Sequence, residues 1–398
     1  MKIGYFAHSK VGVSETFISD LMIALNKKAH SFSFFSGASA GTTVQGIPTH
    51  YTGYYDTPSR SSFLLYKVGQ ILGGRGDRMK FRYAQRSAVQ IMQRYERHLA
   101  EIDVAFVDYG TSGALLYPLL EEKKIPMVMR VHAYDVTSAF ANVSYRNAFL
   151  RACNFANCVL TVSDHIKRLL ILAGVESSKI RLVRLGIGSR NVSVMPWDEK
   201  MKGPPSILHL GRLTPKKHPL ALIHAFSIVK NNIEDAHLTI IGEGPLLNES
   251  KKRVAKLGLE EAVRFKGALA QKEAFGLMRR HWVFAQHSVT SMNGDQEGFP
   301  VSPAEAALHE LPVVSTSHSG ITENVIEGET GFLVQEHNYE EMAERMIHLL
   351  KHPEIAERMG KAGRQRILGI CNPEIQTQKV YDLLEAAYAK NRLAFAGN

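Results

Sequence analysis

The sequence predicts an α/β protein made of two doubly wound domains. Short apolar segments alternate with helical stretches along most of the chain, as expected for parallel strands covered by helices. The 398 residues exceed the ~250–300 that one hydrophobic core usually supports. Near the middle, the polar and proline-rich stretch Met195–Pro205 interrupts the alternation, which is typical of an interdomain linker. We therefore place one domain at residues 1–195 and the other at 203–372.

In the first domain, apolar runs bounded by polar residues predict six strands. These are Ile3–Ala7, Ser31–Ser36, Val104–Asp108, Met127–His132, Cys158–Val162 and Ile180–Leu185. Helical spacing predicts the segments that cover them. These are Glu15–Lys28, Phe81–His98, Ser112–Glu122 and Asp164–Ala173.

The second domain repeats the alternation. Its predicted strands are Ser206–Leu210, His237–Ile241, Val263–Lys266, Val283–His287, Val313–Thr316 and the short Gly331–Val334. Two long helical runs close the chain, at Glu340–Lys351 and roughly Pro373–Ala394. Ligands of such folds bind at the carboxyl ends of strands, so the loops that follow the strands are where functional residues are expected.

The formal net charge is +10, and the densest basic stretch lies between Gly74 and His98. Seven basic residues there meet only Asp77 and Glu96, and apolar residues interleave with them. A basic amphipathic segment at 75–97 is suited to an anionic membrane surface, and a solvated helix face is the alternative. No recognition motif accompanies the charge, so we expect no nucleic-acid partner.

Three cysteines, Cys153, Cys158 and Cys371, are too few for a disulfide framework and lack metal-ligand spacing. They are expected to be small apolar residues in a reducing compartment. His8 and Ser9 interrupt the N-terminal apolar run that a signal peptide would need. No window holds the ~18 apolar residues of a membrane-spanning helix. We expect a cytoplasmic protein, free or peripheral at the inner face of the membrane.

The most informative segment reads Glu-Gly-Phe-Pro-Val-Ser-Pro-Ala-Glu and begins at Glu297. Ser302 is a good N-cap and Pro303 suits the first helical position, which predicts a helix start. A helix N-terminus attracts phosphate, and Gly298 lets backbone approach a ligand closely. Glu297 and Glu305 are acceptors that suit vicinal diols. A nucleotide sugar offers a diphosphate between two diols. The alternatives are a capping box between Ser302 and Glu305, and an ordinary loop carboxylate at Glu297.

A second feature follows the predicted strand Ser206–Leu210, where the chain continues with Gly211 and Arg212 and reaches Lys217. Two fixed cations at a strand end would neutralise a diphosphate, although loop cations are often only solvated. Nowhere are two aspartates separated by one residue, so the Asp-x-Asp metal motif is absent. We therefore expect no metal cofactor, with Arg212 and Lys217 acting in its place.

Two glycine-containing turns also follow predicted strands, Gly242-Glu243-Gly244-Pro245 and Ser319-Gly320-Ile321-Thr322-Glu323. Both are strand-end loops suited to a ligand. Each alone is more often a plain turn.

Together these motifs resemble those of glycosyltransferase family 4, retaining enzymes of the GT-B fold, over essentially the whole chain. The match is strongest from Ile207 to Val334, and Ser14–Ile18 and Gly294–Val301 are most similar to transferases of colanic-acid and other exopolysaccharide or lipopolysaccharide assembly. The resemblance implies two Rossmann-like domains facing across a cleft, the first for acceptor and the second for donor. It also implies that the last helix, within 373–398, crosses back to the first domain.

The resemblance implies roles for the matched residues. Glu297 would contact the donor sugar, Glu305 the ribose, and Arg212 with Lys217 the diphosphate. The complete donor-binding set would be Gly12, Gly211, Arg212, Lys217, Gly242, Glu243, Gly267, Gly298, Phe299, Pro300, Val301 and Glu305. Pro300 stands where many members have glycine, so one N–H of the phosphate cradle is missing.

In the first domain, His132 follows a predicted strand and would face the cleft. A histidine so placed is ordinarily structural, but in the family it reaches the donor sugar beside the reacting carbon. The predicted catalytic set is thus His132, Arg212, Lys217 and Glu297.

The predicted function is transfer of a hexose from a UDP- or GDP-sugar to a glycan or lipid-linked glycan acceptor, with retention inferred from the family alone. A nucleotide-sugar epimerase or phosphorylase of the same architecture, and a non-catalytic two-domain binding protein, remain alternatives. Which nucleotide, sugar, linkage and acceptor are used is not encoded in any motif that we recognise.

Overall fold

The computed structural model describes residues 1–8, 16–38, 46–55, 75–188 and 192–396, with the side chains of 75–78 and 394–396 left out. Packing contacts divide the chain into two compact units. The first unit is Met1–Gly186 with Pro373–Asn398, and the second is Ile187–Asn372. Each unit is built around one parallel sheet.

Among the described residues, the first sheet has seven parallel strands in the order β3-β2-β1-β4-β5-β6-β7. They are β1 (Lys2–Ala7), β2 (Ser31–Ser36), β3 (Thr49–Tyr51), β4 (Val104–Asp108), β5 (Met127–Val131), β6 (Cys158–Thr161) and β7 (Ile180–Leu182). The chain builds outward from β1 on one side and then from β4 on the other, so the sheet is doubly wound.

The helices of the first unit lie between these strands and at the C-terminal end of the chain. They are α1 (Thr16–Asn26), α2 (Arg75–Gln93), α3 (Glu96–Leu99), α4 (Gly110–Glu122), α5 (Ala133–Val136), α6 (Val143–Phe155), α7 (Asp164–Leu172) and, at the C-terminus, α16 (Pro373–Ala396). Val380 and Leu384 of α16 join the core cluster that contains Tyr5 and Phe106. Burial of these apolar side chains holds α16 on the first unit.

The second sheet has six parallel strands among the described residues, in the order β10-β9-β8-β11-β12-β13. They are β8 (Ser206–Leu210), β9 (His237–Ile241), β10 (Val263–Phe265), β11 (Val283–Gln286), β12 (Val313–Thr316) and β13 (Gly331–Val334). Its switch point lies between β8 and β11, where the strand order reverses.

The helices of the second unit follow the same alternation. They are α8 (Trp197–Lys200), α9 (Pro219–Asn232), α10 (Leu247–Lys256), α11 (Gln271–Met278), α12 (Val301–Leu308), α13 (Ile321–Asn324), α14 (Tyr339–Lys351) and α15 (Pro353–Ile370). Their apolar faces pack on the sheet around fully buried side chains such as Phe226 and Leu238.

The second unit begins at Ile187, earlier than the predicted linker at 195–205. Val192 already packs on a core cluster of the second unit, and Trp197 lies in its main core with its ring 6.0 Å from that of Trp282. Proline-rich composition therefore does not mark the boundary here.

The predicted helix Phe81–His98 is two helices. Helix α2 begins earlier, at Arg75, and ends at Gln93, and the short α3 follows. Of the helices that the structure describes, none combines the length and apolar character needed to cross a bilayer. The three cysteines are buried and free.

Candidate active site

The switch point of the second sheet brings the two predicted cation and carboxylate motifs together. β8 ends at Leu210, and the loop after it carries Arg212 and Lys217. β11 ends at Gln286, and the loop after it reaches Glu297 shortly before α12. Parallel strands end at one edge of a sheet, so these loops are neighbours.

Lys217 and Glu297 form a buried ion pair, with 3.0 Å between Nζ and Oε1. Their side chains are 13% and 7% exposed. Lys217 ends a short 3₁₀ helix, Pro215–Lys217, which aims its ammonium toward the loop of Glu297. Both residues were predicted site residues, and the fold places them in direct contact.

Lys216 fastens the same two loops together. Its Nζ lies 2.9 Å from Oδ2 of Asp295 and 3.1 Å from the carbonyl oxygen of Gln296. Its backbone carbonyl accepts the N–H of Val289 at 2.9 Å. Lys216 therefore has a structural role, whereas Lys217 forms the ion pair with Glu297.

The protonation of this pair follows from burial and charge. Burial raises the pKa of Glu297, but the charges of Lys217 and Lys216 outweigh it and lower the pKa overall. Burial lowers the pKa of Lys217 by more than Glu297 raises it. An anion bound beside Lys217 would raise that pKa again, because it favours the charged form.

Arg212 is exposed, and its charge contributes to the lowered pKa of Lys217. The glycine turns lie against its loop. The N–H of Gly242 donates to the carbonyl of Gly267 at 2.8 Å. At Gly242, with φ +131°, a Cβ would stand 2.0 Å from the carbonyl oxygen of Gly211, so the close approach requires glycine. The predicted site glycines Gly211, Gly242 and Gly267 therefore lie against one another.

The other predicted residues of the donor site surround the start of α12. Glu243 is exposed, with its Oε1 close to Gly267, while Phe299 and Pro300 are buried. A Cβ on Gly320 would stand 1.7 Å from the carbonyl oxygen of Gly298. The second glycine turn therefore packs directly on the predicted phosphate cradle.

Helix α12 begins at Val301 with Pro300 as its N-cap, and no side chain caps it. The Ser302 hydroxyl donates instead to Oε1 of Gln286, the last residue of β11, at 3.3 Å. The predictions of Ser302 as N-cap and of Pro303 at the first helical position were therefore wrong, and the alternative of a capping box between Ser302 and Glu305 is not formed. The Ser302 hydroxyl is bonded to Gln286 and does not cap the helix. Pro300 at the N-cap has no backbone N–H, so one fewer donor needs a partner there.

Glu305 is buried, 8% exposed, in the second turn of α12. Gln271, the first residue of α11, donates from Nε2 to its Oε1 at 3.3 Å. The loop Gly267–Leu269, which the family resemblance implies as the contact for the nucleotide base, immediately precedes α11. The two features expected to contact the nucleoside are therefore neighbours.

His318 and Glu336 hold the loop of Glu297, and neither was among the predicted site residues. Nε2 of His318 accepts the backbone N–H of Glu297 at 3.1 Å, and Nδ1 donates to Oε1 of Glu336 at 2.6 Å. Oε2 of Glu336 accepts the N–H of Thr290 at 2.9 Å. These two contacts assign the ring N–H of His318 to Nδ1. The Ser-His-Ser-Gly run after β12 was the available signal.

In the first unit, His132 lies at the carboxyl end of β5, as predicted. Its Nε2 is 3.0 Å from Oδ1 of Asp108, which ends β4 and is fully buried. The Tyr5 hydroxyl donates to Oδ2 of Asp108 at 2.5 Å, and Arg130 binds both carboxylate oxygens. Asp135 accepts the backbone N–H of His132 at 2.9 Å.

Burial raises the pKa of Asp108, but Arg130 and His132 outweigh burial, so this carboxyl stays ionised. Burial lowers the pKa of Arg130, and Asp108 more than restores it. Neither Asp108 nor Arg130 was among the predicted site residues. Charged residues within the apolar segments Val104–Asp108 and Met127–Val131 were the signal.

Gly12 lies outside the described residues, as do Ser14 and Glu15. Within the described ranges, the structure contains no group of three or more His, Cys, Asp or Glu side chains arranged to hold a metal ion.

Two family models match the chain, one for each unit. The model described as Glycosyltransferase Family 4 matches residues 14–189, and the one described as Glycosyl transferases group 1 matches residues 196–366. Together they span most of the sequence.

Curated relatives agree with these matches. The amylovoran biosynthesis glycosyltransferase AmsK of Erwinia amylovora is 29% identical over 285 residues, covering 71% of this chain and 70% of the relative. The putative colanic acid biosynthesis glycosyltransferase WcaL of Escherichia coli K12 is 28% identical, with the same coverages of 71% and 70%. A GDP-mannose-dependent α-(1-6)-phosphatidylinositol monomannoside mannosyltransferase of Mycolicibacterium smegmatis is 28% identical, covering 69% and 74%.

A solved structure of similar fold is Anabaena HepE in complex with UDP and glucose. It matches with a TM-score of 0.77 at 17% identity, covering 97% of this chain and 100% of that chain. Two Rossmann-like units of this topology, together with the family matches, define a glycosyltransferase of the GT-B fold. The chain belongs to glycosyltransferase family 4, among relatives named for exopolysaccharide assembly. The predicted fold class, family and enzyme class are confirmed.

Proposed function

We propose that this enzyme transfers a hexose from a nucleotide diphosphate sugar to a lipid-linked or polysaccharide acceptor, with retention of configuration and without a metal ion. The observation that carries the proposal is the buried Lys217–Glu297 pair at the switch point of the second sheet. A cation and a carboxylate beside a helix start suit a diphosphate joined to a polyhydroxylated sugar.

In the structure, Glu297 is paired with the Lys217 ammonium. A diphosphate would take over the ammonium, with the exposed Arg212 free to turn toward it. Glu297 would then accept hydrogen bonds from donor-sugar hydroxyls, since an ionised carboxylate is purely an acceptor. Glu305, with Gln271, would hold the ribose.

The first unit would supply the acceptor side and His132. Asp108, held by Arg130, binds Nε2 of His132 and orients the imidazole, so His132 would approach the sugar through its other ring nitrogen, Nδ1. The relatives support both candidate nucleotides: one is named as GDP-mannose-dependent, and a fold neighbour binds UDP. The proposal therefore covers UDP- and GDP-hexoses.

The proposed chemistry is a front-face substitution. The bond between the anomeric carbon and the diphosphate oxygen breaks, and the acceptor oxygen forms a bond on the same face. The departing oxygen takes the acceptor proton while Arg212 and Lys217 stabilise its charge. The proposed lipid-linked acceptor and the basic helix α2 support a cytoplasmic, membrane-peripheral location within this proposal.

The test is an assay of UDP or GDP release across a panel of UDP- and GDP-hexoses, with a lipid-linked glycan extract as acceptor. We expect release that depends on the acceptor and an NMR coupling constant that shows the donor's anomeric configuration in the product. An inverted product would contradict the mechanism. Sugar interconversion without acceptor would support an epimerase instead.

A further inference from the structure

Gln286 is a buried polar residue at the centre of the second-unit site. It ends β11, and its side chain is fully buried. A buried amide destabilises a protein unless its oxygen and nitrogen are both hydrogen-bonded. An otherwise apolar strand that ends in such a residue therefore needs a reason.

The Gln286 amide joins three separate segments. Its Oε1 accepts from Nζ of Lys217 and from Oγ of Ser302, each at 3.3 Å. Its Nε2 donates to Oγ of Ser288 at 2.8 Å. The loop after β8, the start of α12 and the loop after β11 thus meet on one side chain.

These contacts close a ring of hydrogen bonds. The Ser288 hydroxyl donates to Oε1 of Glu297 at 3.4 Å, and the same oxygen lies 3.0 Å from Nζ of Lys217. The ammonium can only donate, so the amide oxygen must face Lys217 and the amide nitrogen must face Ser288. Every donor in the ring therefore has a fixed direction, from the cation through the amide to the carboxylate.

An ammonium has three N–H groups. Glu297 and Gln286 take two of them, which fixes the direction of the third. If a diphosphate replaces Glu297 as the partner of Lys217, the hydrogen bond from Nζ to the Gln286 amide oxygen still orients the ammonium. A neutral amide suits this task, because a carboxylate there would compete with the phosphate for the cation.

We propose that Gln286 is a positioning residue that orients Lys217 for the diphosphate of the donor and stays bonded to it when Glu297 turns to the sugar. This inference rests on the proposed function, because it assumes that Lys217 binds the diphosphate. It names a residue that no motif of the sequence indicated.

The experiment measures UDP and GDP binding by calorimetry, together with donor KM and kcat. Gln286→Met keeps the side-chain length but removes both polar atoms, and we expect about tenfold weaker nucleotide binding, the scale of one lost hydrogen bond to a charged group. Gln286→Glu keeps the acceptor and adds a charge, and we expect at least ~10²-fold weaker binding near pH 8. The exposed Gln335→Met is the matched control.

A pH profile separates positioning from a merely structural role. The new carboxyl of Gln286→Glu is protonated in acid and then resembles the amide, so its binding deficit relative to wild type should shrink toward about pH 5. A structural lesion would give a deficit independent of pH. If Gln286→Met no longer unfolds cooperatively, the nucleotide affinity of Gln286→Glu decides between the two roles. That variant keeps the side-chain size of glutamine and the oxygen that accepts from Lys217.

Wild-type affinity for nucleotide in both variants, with thermal midpoints near that of the wild type, would overturn the inference and leave the proposed function intact. A pH-independent deficit in Gln286→Glu would also overturn it. Wild-type protein that binds neither UDP nor GDP would instead overturn the proposed function, and the inference with it.

Discussion

Two lysines of the second unit show how differently a buried charge behaves with and without a partner. Lys217 has Glu297 and Gln286 as partners and lies at the strand edge where ligands bind. Lys200 is 2% exposed, and among the described residues its Nζ has no hydrogen-bond partner. The first arrangement suits a binding site, and the second destabilises the folded state.

We expect Glu297→Gln and Arg212→Ala each to reduce kcat by at least ~10²-fold, the scale of losing one key transition-state contact. Glu297→Gln removes the charge that pairs with Lys217, and Arg212→Ala removes the exposed cation of the same loop. Steady-state kinetics with the identified donor check this. The exposed Glu329→Gln and Arg280→Ala serve as controls, and unchanged kcat in both site variants would place the chemistry elsewhere.

We expect Lys200→Met to stabilise the protein at pH 7. Burial lowers the pKa of Lys200 from 10.5 to about 8, so the unfolded chain binds more protons between those values and stability rises with pH there. The native-state cost, about 3 kcal/mol for a pKa lowered from 10.5 to about 8, is fully present below about pH 8.

Urea unfolding at pH 7 and at about pH 10 measures the difference. The advantage of Lys200→Met should be largest at pH 7 and shrink at the higher pH, where native Lys200 is already neutral. Lys202→Met, at an exposed lysine two residues away, is the control. A variant less stable than wild type at pH 7 would show that the contact of Nζ with the Trp197 ring, at 4.9 Å, matters more than burial.

Among the elements, α2 carries the basic segment for which composition leaves a membrane surface and a solvated face as alternatives. Part of its apolar face packs inward: Ala88 and Met92 are buried, and Gln85 donates to the carbonyl of Ala114 in α4. The face left in solvent carries Lys80, Arg82 and Arg86. This basic surface favours an electrostatic membrane contact, although Met79, 42% exposed, also leaves an apolar side chain of the helix in solvent.

We expect the protein to float with vesicles rich in phosphatidylglycerol and not with phosphatidylcholine alone. Reversing two charges, Arg82→Glu with Arg86→Glu, should weaken binding at least ~30-fold, at about 1 kcal/mol for each basic residue at the surface. Lys251→Glu with Lys252→Glu on α10 is the charge-matched control. Equal loss in both double variants would assign the effect to net charge, and failure of the wild type to float would end the membrane proposal.

For the molecule as a whole, the cations of the β8 loop are proposed to replace a metal ion, and this has a direct test. We expect nucleotide release to survive dialysis against EDTA with less than a twofold change, because the leaving diphosphate would be stabilised by Arg212 and Lys217. Recovery of activity only on addition of Mg²⁺ or Mn²⁺ would contradict this expectation.

Much of the fold could be predicted from local pattern. β2, β4, β8, β9, β12 and β13 have the predicted bounds because each is an apolar run closed by turn residues. β3, three residues of intermediate burial at the sheet edge, is too short to show a period. The start of α12 was misplaced because Ser302 has a better partner across the site than the backbone of its own helix.

The sequence by itself determined two doubly wound units, the order of their elements, and the family, because hydrophobic alternation and strand-end motifs are local features. It also named Lys217 and Glu297 without showing that they touch. Only the tertiary structure decided which charges pair. Asp108 meets Arg130 because those two residues are register partners on neighbouring strands, and Gln286 meets Lys217 because β8 and β11 are adjacent. Partners tens of positions apart are chosen by strand order and register, which no local pattern specifies.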